Sequence, residues 1–176
     1  MDIFTEQIIK RKRSTTDIAI SIGASLAVFI LIFISFFFLL PMTMIPLIPI
    51  AVTAAAIYGG YWVITSRNLE FEYSVTNGDL TVDKIINKRR RKRLLSFDVK
   101  EAEEMGKYDP RRMEQRPVDQ RIMATETETG EDAWYILART PKYGRTMLVF
   151  NPNENVLDGI KAGMTRQMRI NVFGRS

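Results

Sequence analysis

The sequence predicts a membrane α-helical hairpin followed by an all-β domain that is capped by one C-terminal helix. Three observations support this fold class. No Lys, Arg, Asp or Glu occurs in residues 18–66 of the 176-residue chain. Apolar and polar residues alternate after that stretch, and an apolar stripe with helical spacing follows Pro152. Because the charges are so unevenly distributed, we expect one region in lipid and the other in water.

The missing residue types exclude several kinds of chemistry. The chain contains no cysteine and no histidine, and its net charge is +5. Disulfides, thiolate nucleophiles, zinc sites with thiolate or imidazole ligands, and Ser-His-Asp triads are therefore excluded. The glycine motifs that bind phosphate or present a nucleophile are also missing. We expect no catalytic residue, no metal site and no cofactor.

Two uncharged stretches are each long enough to cross a bilayer as a helix. At 1.5 Å per residue, residues 18–40 would reach about 34 Å and residues 45–64 about 30 Å, against ~30 Å of hydrocarbon. Residues 41–44 would form the turn between them. Pro46 and Pro49 fall in the first turns of the second helix, where a missing N–H group costs little. A cleaved signal peptide is disfavoured, because the first run is too long and ends in bulky residues.

The basic residues predict the orientation of this hairpin. Four cations at residues 10–13 precede the first span and Arg67 follows the second, whereas the turn has none. The positive-inside rule then places both termini in the cytoplasm and the protein in the cell membrane. The aromatic residues at the end of the second span fit the cytoplasmic interface; these are Tyr58, Tyr61 and Trp62.

The cytoplasmic N-terminal arm, residues 1–17, has two open interpretations. As an amphipathic helix it would press an apolar stripe against lipid, with its cations at anionic headgroups. That stripe consists of Ile3, Phe4, Ile8 and Ile9. As a disordered leader it would only supply the positive-inside charges. The end of the arm is expected to cap the first helix through Thr15, Thr16 or Asp17.

Small residues recur at helical spacing in both spans and predict close backbone packing within the hairpin. The same rows would also allow association with other spans. A transport role is disfavoured, because the spans carry no ionisable group. The predicted helix-packing residues are Ala19, Gly23 and Ala27 in the first span and Ala51, Ala55 and Gly59 in the second.

After a linker at residues 65–68, a cytoplasmic β domain is predicted at residues 69–166. Alternation at 69–76, 79–86 and 92–99 predicts a three-stranded antiparallel meander, and Asn77-Gly78 is a strong two-residue hairpin turn. Further strands, up to seven in all, are expected at 121–126, 134–140 and 146–150, and residues 102–107 are expected to form a strand or an irregular segment. Residues 108–119 are expected to form an exposed loop. One amphipathic helix should begin at Asn153 and end near 163–166, and the tail at 167–176 is undetermined.

This arrangement resembles the bacterial pleckstrin-homology-like (PH-like) membrane proteins, in which a two-helix hairpin precedes a cytoplasmic barrel. The resemblance rests on the hairpin, the short linker and the segment LEFEYSVTNGDLTVDKIINKRRRKRLLSFDVKEAE. It implies a bent antiparallel sheet or barrel with a capping helix, and a binding role without a named ligand. Phosphoinositide sites of PH domains usually lie on the first loop between strands. Here that loop would be Asn77-Gly78, which has no cation, so no such site is carried over.

Six consecutive cations at residues 88–93, the basic run, are the most conspicuous chemical feature of the domain. They are Lys88, Arg89, Arg90, Arg91, Lys92 and Arg93. Three interpretations are open: a solvated hairpin that blunts a sheet edge, a contact with the anionic inner leaflet, or a site for a macromolecular partner. Nucleic acid is the least favoured partner, because no stacking aromatic interrupts the run.

The function that these features favour is a non-catalytic membrane adaptor or scaffold. Its PH-like domain would bind a protein partner or anionic lipid headgroups. The lipid bilayer, and in some arrangements another membrane protein, would be its partners. An accessory subunit of a membrane transporter or secretion complex is the alternative hypothesis, and a membrane-tethered enzyme is the third. An acid–base set formed by Glu101, Glu103, Glu104 and Asp109 is less expected than solvated acids, because nothing nearby in the sequence would shift their pKa values.

Overall fold

The computed structural model describes residues 4–113 and 115–174, and it divides into two compact units. One unit joins the chain up to Lys12 to the chain from Leu69 onward, and the other is Arg13–Asn68. The helical unit is therefore inserted between two parts of the β unit. The helical unit was instead predicted to precede the whole domain.

The helical unit contains two long helices, α1 (Thr15–Met42) and α2 (Leu47–Thr65). By length and composition, both could cross a membrane. The turn between them lies at residues 43–46, two positions later than predicted. A π-helical segment, Ser35–Leu39, ends two positions before Pro41. Because a π-helical turn is wider than an α-helical one, it relieves the clash that a proline ring makes with the preceding turn.

The N-cap of α1 is Ser14 and not one of the three predicted residues. Asp17 nevertheless takes part in the cap, since its carboxylate accepts a hydrogen bond from the Ser14 N–H at 3.3 Å. An acidic group in the first turn also suits the positive end of the helix dipole.

The N-terminal arm forms a strand, β1 (Phe4–Lys10), that pairs antiparallel with β2 (Leu69–Thr76). Both predictions for the arm, the amphipathic helix and the disordered leader, are wrong over its described residues; Ile3 lies outside them. The spacing of apolar residues in the arm also fits an edge strand. Ile9 faces the core opposite Phe71 and is 5% exposed, whereas Phe4 and Ile8 lie on the outer face. The arm becomes a strand only because it pairs with β2, which follows the two helices in the chain.

Sheet A has the strand order β1-β2-β3-β4, with β3 at Asp79–Ile86 and β4 at Arg90–Asp98. All neighbours are antiparallel, so the predicted meander is confirmed and β1 widens it by one strand. The predicted Asn77-Gly78 turn is also confirmed. Both residues have positive φ, 51° and 95°, which asparagine and glycine tolerate best.

Sheet B has the order β5-β7-β8-β6. Its strands are β5 (Ala102–Lys107), β6 (Gln120–Ala124), β7 (Trp134–Thr140) and β8 (Gly144–Phe150). β6 pairs with β8 in parallel, so the prediction of antiparallel strands throughout is wrong at this position. The described residues form eight strands, one more than the maximum of seven that the sequence predicted.

The main core lies between the two sheets and the C-terminal helices. Tyr73 and Phe150 meet edge to face, with ring centroids 5.5 Å apart. Helix α4 (Glu154–Gly163) begins where predicted, and the side chain of Asn153 accepts a hydrogen bond from the Val156 N–H at 2.9 Å. α4 covers β1 and β2.

A second C-terminal helix, α5 (Arg166–Phe173), was not predicted. The Phe173 ring packs against Trp134 with centroids 5.7 Å apart, so the domain extends beyond the predicted boundary at residue 166. The signal for α5 is weak because the helix is short and is fixed by this long-range contact.

The described residues of the segment 108–119 are mostly exposed, as the prolines and charges of this segment predicted. It contains a short helix, α3 (Pro110–Met113), and Met113 is buried. Met113 belongs to a second apolar cluster on the outer face of sheet B, with Ala133, Tyr135, Leu137, Met147 and Val149. Because both faces of β7 and β8 are apolar, this loop has to cover one of them.

Candidate functional site

The β3–β4 hairpin places the basic run at the end of sheet A. Asn87 and Lys88 form the turn with φ of 51° and 56°, and the Arg89 N–H donates to the Ile86 carbonyl at 3.1 Å. All six cations of the run are exposed. The turn therefore projects a dense positive charge, as the sequence predicted.

Strand alternation separates the run into two groups. Arg91 and Arg93 lie on the outer face of sheet A, where each meets a carboxylate. The Arg91–Glu72 ion pair is 2.6 Å long and the Arg93–Asp83 ion pair 3.2 Å. The side chains of these two acids are only 8% and 9% exposed. Burial raises the pKa of Glu72, although Arg91 acts in the opposite direction. These two cations are neutralised within the sheet.

The other four cations have no such partner. Arg90 and Lys92 lie on the opposite face of β4, and Lys88 and Arg89 lie at the turn. Within residues 4–113 and 115–174, their side chains make no ion pair and no hydrogen bond. Lys84 joins them from β3, directly opposite Lys92.

Lys84 is half-buried and likewise has no acidic partner in the described part of the chain. Burial lowers the pKa of Lys84, and the nearby charges of Arg11 and Lys92 lower it further. We name Lys84, Lys88, Arg89, Arg90 and Lys92 the cation cluster. An anion placed there would relieve repulsion among them.

Lys84 was not predicted to be part of the site, although a signal was present in the sequence. Lys84 lies on the same face of β3 as Leu80 and Val82, because every second residue of a strand faces the same side. Its position therefore faces the core side of the sheet. A cation at a core-facing position near the end of a strand indicates either an open end of the sheet or a binding site.

The cation cluster lies at one particular end of sheet A. Leu69 pairs with Ile86, Ile86 pairs with Arg90, and Lys10 pairs with Glu70. The β3–β4 turn is thus at the end of sheet A where the chain leaves the sheet after β1 and returns to it at β2. The first connection between strands is consequently the helical unit and not Asn77-Gly78, which corrects the loop assignment made from the sequence.

The small-residue rows of the helical unit do not form the contact that was predicted for them. Ala19, Gly23, Ala27, Ala51 and Ala55 are exposed in the structure and Gly59 is only partly covered. A Cβ added at Gly23 or Gly59 would meet no atom within 4 Å.

The helices meet instead along a neighbouring row. Gly60 is buried, and a Cβ added there would overlap the side chain of Val28. Ser35 is fully buried, and its hydroxyl donates to the Pro49 carbonyl at 2.8 Å. Thr53 in turn donates to the Ser35 hydroxyl at 3.2 Å. Small residues at 54–56 and 59–60 offer several parallel rows, so spacing alone does not select the one that makes the contact.

The four acids considered as an acid–base set are mostly held in ion pairs. Glu103 meets Arg145 at 2.9 Å and Asp109 meets Arg112 at 3.6 Å. Glu104 accepts hydrogen bonds from Arg116 and, at 2.5 Å, from the Tyr135 hydroxyl.

Glu101 has no ion pair among the described residues and is exposed. Burial opposes ionisation of Glu104, but the hydrogen bonds from Arg116 and Tyr135 outweigh it and the pKa of Glu104 is lowered. The Arg116–Glu104 contact anchors the loop at residues 108–119 to sheet B.

Comparison with known proteins agrees with the fold. A family model described as "Bacterial PH-like domain (DUF6106)" matches residues 1–170. The chain belongs to this family of bacterial PH-like proteins, which confirms the resemblance seen in the sequence. PH-like domains are typically non-catalytic. Neither the curated proteins nor the solved structures gave a match to the chain.

Proposed function

We propose that this protein is a two-span protein of the cell membrane whose cytoplasmic PH-like domain contacts anionic lipid headgroups through the cation cluster. The two helices are long and apolar enough to cross a bilayer. β1 ends before α1, β2 begins after α2, and the two strands pair. Helices that span a bilayer must then leave both flanking segments on one side. The basic residues at 10–13 and Arg67 favour the cytoplasmic side.

The observation that carries the lipid contact is where the unneutralised cations lie. They cluster at the end of sheet A where the chain leaves for the helices, and the connections there are residues 11–14 and 66–68. A membrane that holds the helices is therefore only a few residues along the chain from this end. Each cation near an anionic surface contributes roughly 1 kcal/mol. Five of them are enough to favour an anionic bilayer over a neutral one.

The role that fits this arrangement is that of a non-catalytic adaptor or scaffold beside the inner leaflet. The lipid contact would hold the domain in one orientation beside the membrane. PH-like folds serve many ligands, so this role rests on the cation cluster and not on the fold alone.

The experiment uses the full chain in nanodiscs with an environment-sensitive fluorophore on Arg89→Cys, which is the only thiol because the chain has no cysteine. We expect a blue shift when phosphatidylglycerol replaces part of the phosphatidylcholine, because the turn enters the headgroup layer. Adding K88S, R90S and K92S should abolish the shift. A control with the same change in charge, R111S/R112S/R139S, should keep it. Equal emission in both lipids, or equal loss in both triple variants, would contradict the proposal.

A second candidate function is an accessory subunit of a membrane complex, and the exposed small residues of the helices favour it. Ala19, Gly23 and Ala27 lie on an exposed face of α1, where another helix could approach closely. Gentle detergent extraction followed by purification tests this function. A partner membrane protein in fixed stoichiometry would support it, and isolation of this chain without such a partner would contradict it.

A further inference from the structure

A groove runs beside the outer edge of β4. Residues 93–96 form one wall and residues 140–143 of the β7–β8 turn form the other, enclosing about 390 Å³. The wall of β4 contributes Leu94 and Leu95, and the turn contributes Pro141 and Tyr143. The groove is therefore largely apolar, although it lies next to the basic run.

A β-bulge directs one side chain of this groove. Val82 pairs with Leu95 and Asp83 pairs with Arg93, so Leu94 is an extra residue without a partner on β3. Leu94 and Tyr143 are both partly exposed and pack at the margin of the core. Bulges often re-aim a side chain in this way. Here the bulge leaves an apolar surface with room for one more apolar side chain.

The backbone of β4 is also available at this edge. β4 is the last strand of sheet A, and within the described part of the chain no other strand pairs with its outer side. The opposite edge strand, β1, packs against α4. Residues 90–93 are exposed and Leu94 is partly exposed, so we take residues 90–94 as the accessible part of this edge. A free strand edge recognises an extended backbone through main-chain hydrogen bonds.

The charged residues that line the groove and the edge are positive. Arg90 and Lys92 belong to the cation cluster and carry no ion pair among the described residues. Lys142 lies at the far wall, with its Nζ 4.7 Å from the centroid of the Tyr143 ring. Asp83 is already engaged by Arg93. The ligand that complements this surface is acidic.

We infer that the groove and the edge of β4 bind an extended acidic segment of a partner protein. The segment adds as a strand beside residues 90–94 and inserts one apolar side chain between Leu94 and Tyr143. Cross-strand pairing places acidic side chains at two alternate positions, opposite Arg90 and Lys92, with the apolar anchor two or three residues away. A lipid would satisfy the charges but not the row of backbone groups, so the edge favours a peptide. This inference goes beyond the lipid contact and does not depend on it.

The test measures peptide binding to the full chain in neutral phosphatidylcholine nanodiscs by fluorescence anisotropy. Because either strand direction is possible, two probes are used: Leu-Thr-Val-Thr-Glu-Thr-Glu and the reversed sequence, each fluorescein-labelled. The better binder is then made in two forms, N-methylated at its odd or at its even residues. Strand addition uses only one set of N–H groups, so we expect at least a tenfold loss of affinity in one form and little in the other. Equal affinities of the two forms, or no binding of either probe, would overturn the inference.

Leu94→Ser provides a second readout. It should weaken the peptide at least tenfold and leave the lipid-dependent shift of the Arg89→Cys fluorophore unchanged. A probe with Lys in place of Glu should not bind. If the acidic probe binds only when its charge is intact but both N-methylated forms bind equally well, the cations act as a charged surface alone and the strand-addition site is refuted.

Discussion

Tyr73 connects three parts of the β unit through one hydroxyl. It is fully buried on β2, donates to the Ala124 carbonyl at the end of β6, and accepts from the Asn151 N–H at 3.3 Å. Burial raises the pKa of this phenol, so the group stays neutral and able to donate. The alternation of β2 places Tyr73 in the core, but no local pattern identifies its partners, which lie at the end of β6 and directly after β8.

Tyr73→Phe should lower the free energy of unfolding by about 1–3 kcal/mol, because a buried carbonyl and a buried N–H lose their partner. Urea unfolding of the full chain in micelles, followed by near-UV circular dichroism, measures the change. Tyr143→Phe is the control, since its ring is partly exposed, and its effect should stay within about 0.5 kcal/mol. Equal effects of the two substitutions would contradict the role of the Tyr73 hydroxyl.

The Tyr135–Glu104 contact predicts a loss of stability at alkaline pH. Burial and the hydrogen bond to Glu104 raise the pKa of Tyr135 to about 12, above its ordinary value of 10.0. The folded state therefore holds this proton more tightly than the unfolded state, so stability falls as the pH rises from about 10 to about 12.

Tyr135→Phe should remove that component of the alkaline loss, and melting temperatures between pH 8 and 11 report it. A pH profile identical to that of the unchanged protein would contradict the assignment.

At the scale of elements, the contact between the two long helices depends on one glycine. Gly60→Ala should weaken the hairpin by about 1–3 kcal/mol, because the new methyl group overlaps Val28. Gly59→Ala makes the same chemical change one position away, in open space, and should not weaken it. SDS titration of the micellar protein, followed by Trp62 fluorescence in a Trp134→Phe background, compares them. Equal midpoints for the two variants would show that the helices do not meet at Gly60.

Elements with a strong local signal were predictable from the sequence, and those fixed by distant contacts were not. The turn at Asn77-Gly78 was predictable because both residues favour a positive φ. Helix α4 was predictable because Asn153 is a typical N-cap residue. β1 and α5 lack such signals. β1 becomes a strand because β2 supplies its hydrogen-bond partners from beyond both helices, and α5 is held by the packing of Phe173 on Trp134.

The candidate site was predicted in part for the same reason. The basic run is visible as six adjacent letters, whereas its division by Glu72 and Asp83 depends on the register of three strands. Lys84 enters the cation cluster through that register as well. The predicted row of small residues is not the one at the helix contact, which lies along a neighbouring row. Several rows fit the same spacing, so the spacing alone could not distinguish them.

At the scale of the whole molecule, the β unit should not need the helices but should need β1. The Arg11 N–H donates to the Leu69 carbonyl at 3.0 Å, so the two ends meet where the helices are inserted. β1 supplies Ile9 to the core, and Gln7 hydrogen-bonds the backbone at Asn151 and Asn153.

Joining residues 1–12 to residues 69–176 through Asn-Gly should therefore give a water-soluble domain with one cooperative melting transition. Residues 69–176 alone should aggregate or melt without cooperativity, because β2 becomes an unprotected edge. Circular dichroism and gel filtration compare the two chains. Equivalent behaviour of both would contradict the assignment of β1 to the domain.

The central claim is that a membrane-spanning hairpin is inserted between two paired strands of a PH-like domain. The most direct test introduces single cysteines, one at a time, into the cysteine-free chain at Phe4, Met44 and Ser96. Each variant is labelled with an impermeant maleimide in intact cells and in inverted membrane vesicles. We predict that Phe4→Cys and Ser96→Cys label only in the inverted vesicles and that Met44→Cys labels only in intact cells. Labelling of positions 4 and 96 from opposite sides, or of all three from one side, would contradict the claim.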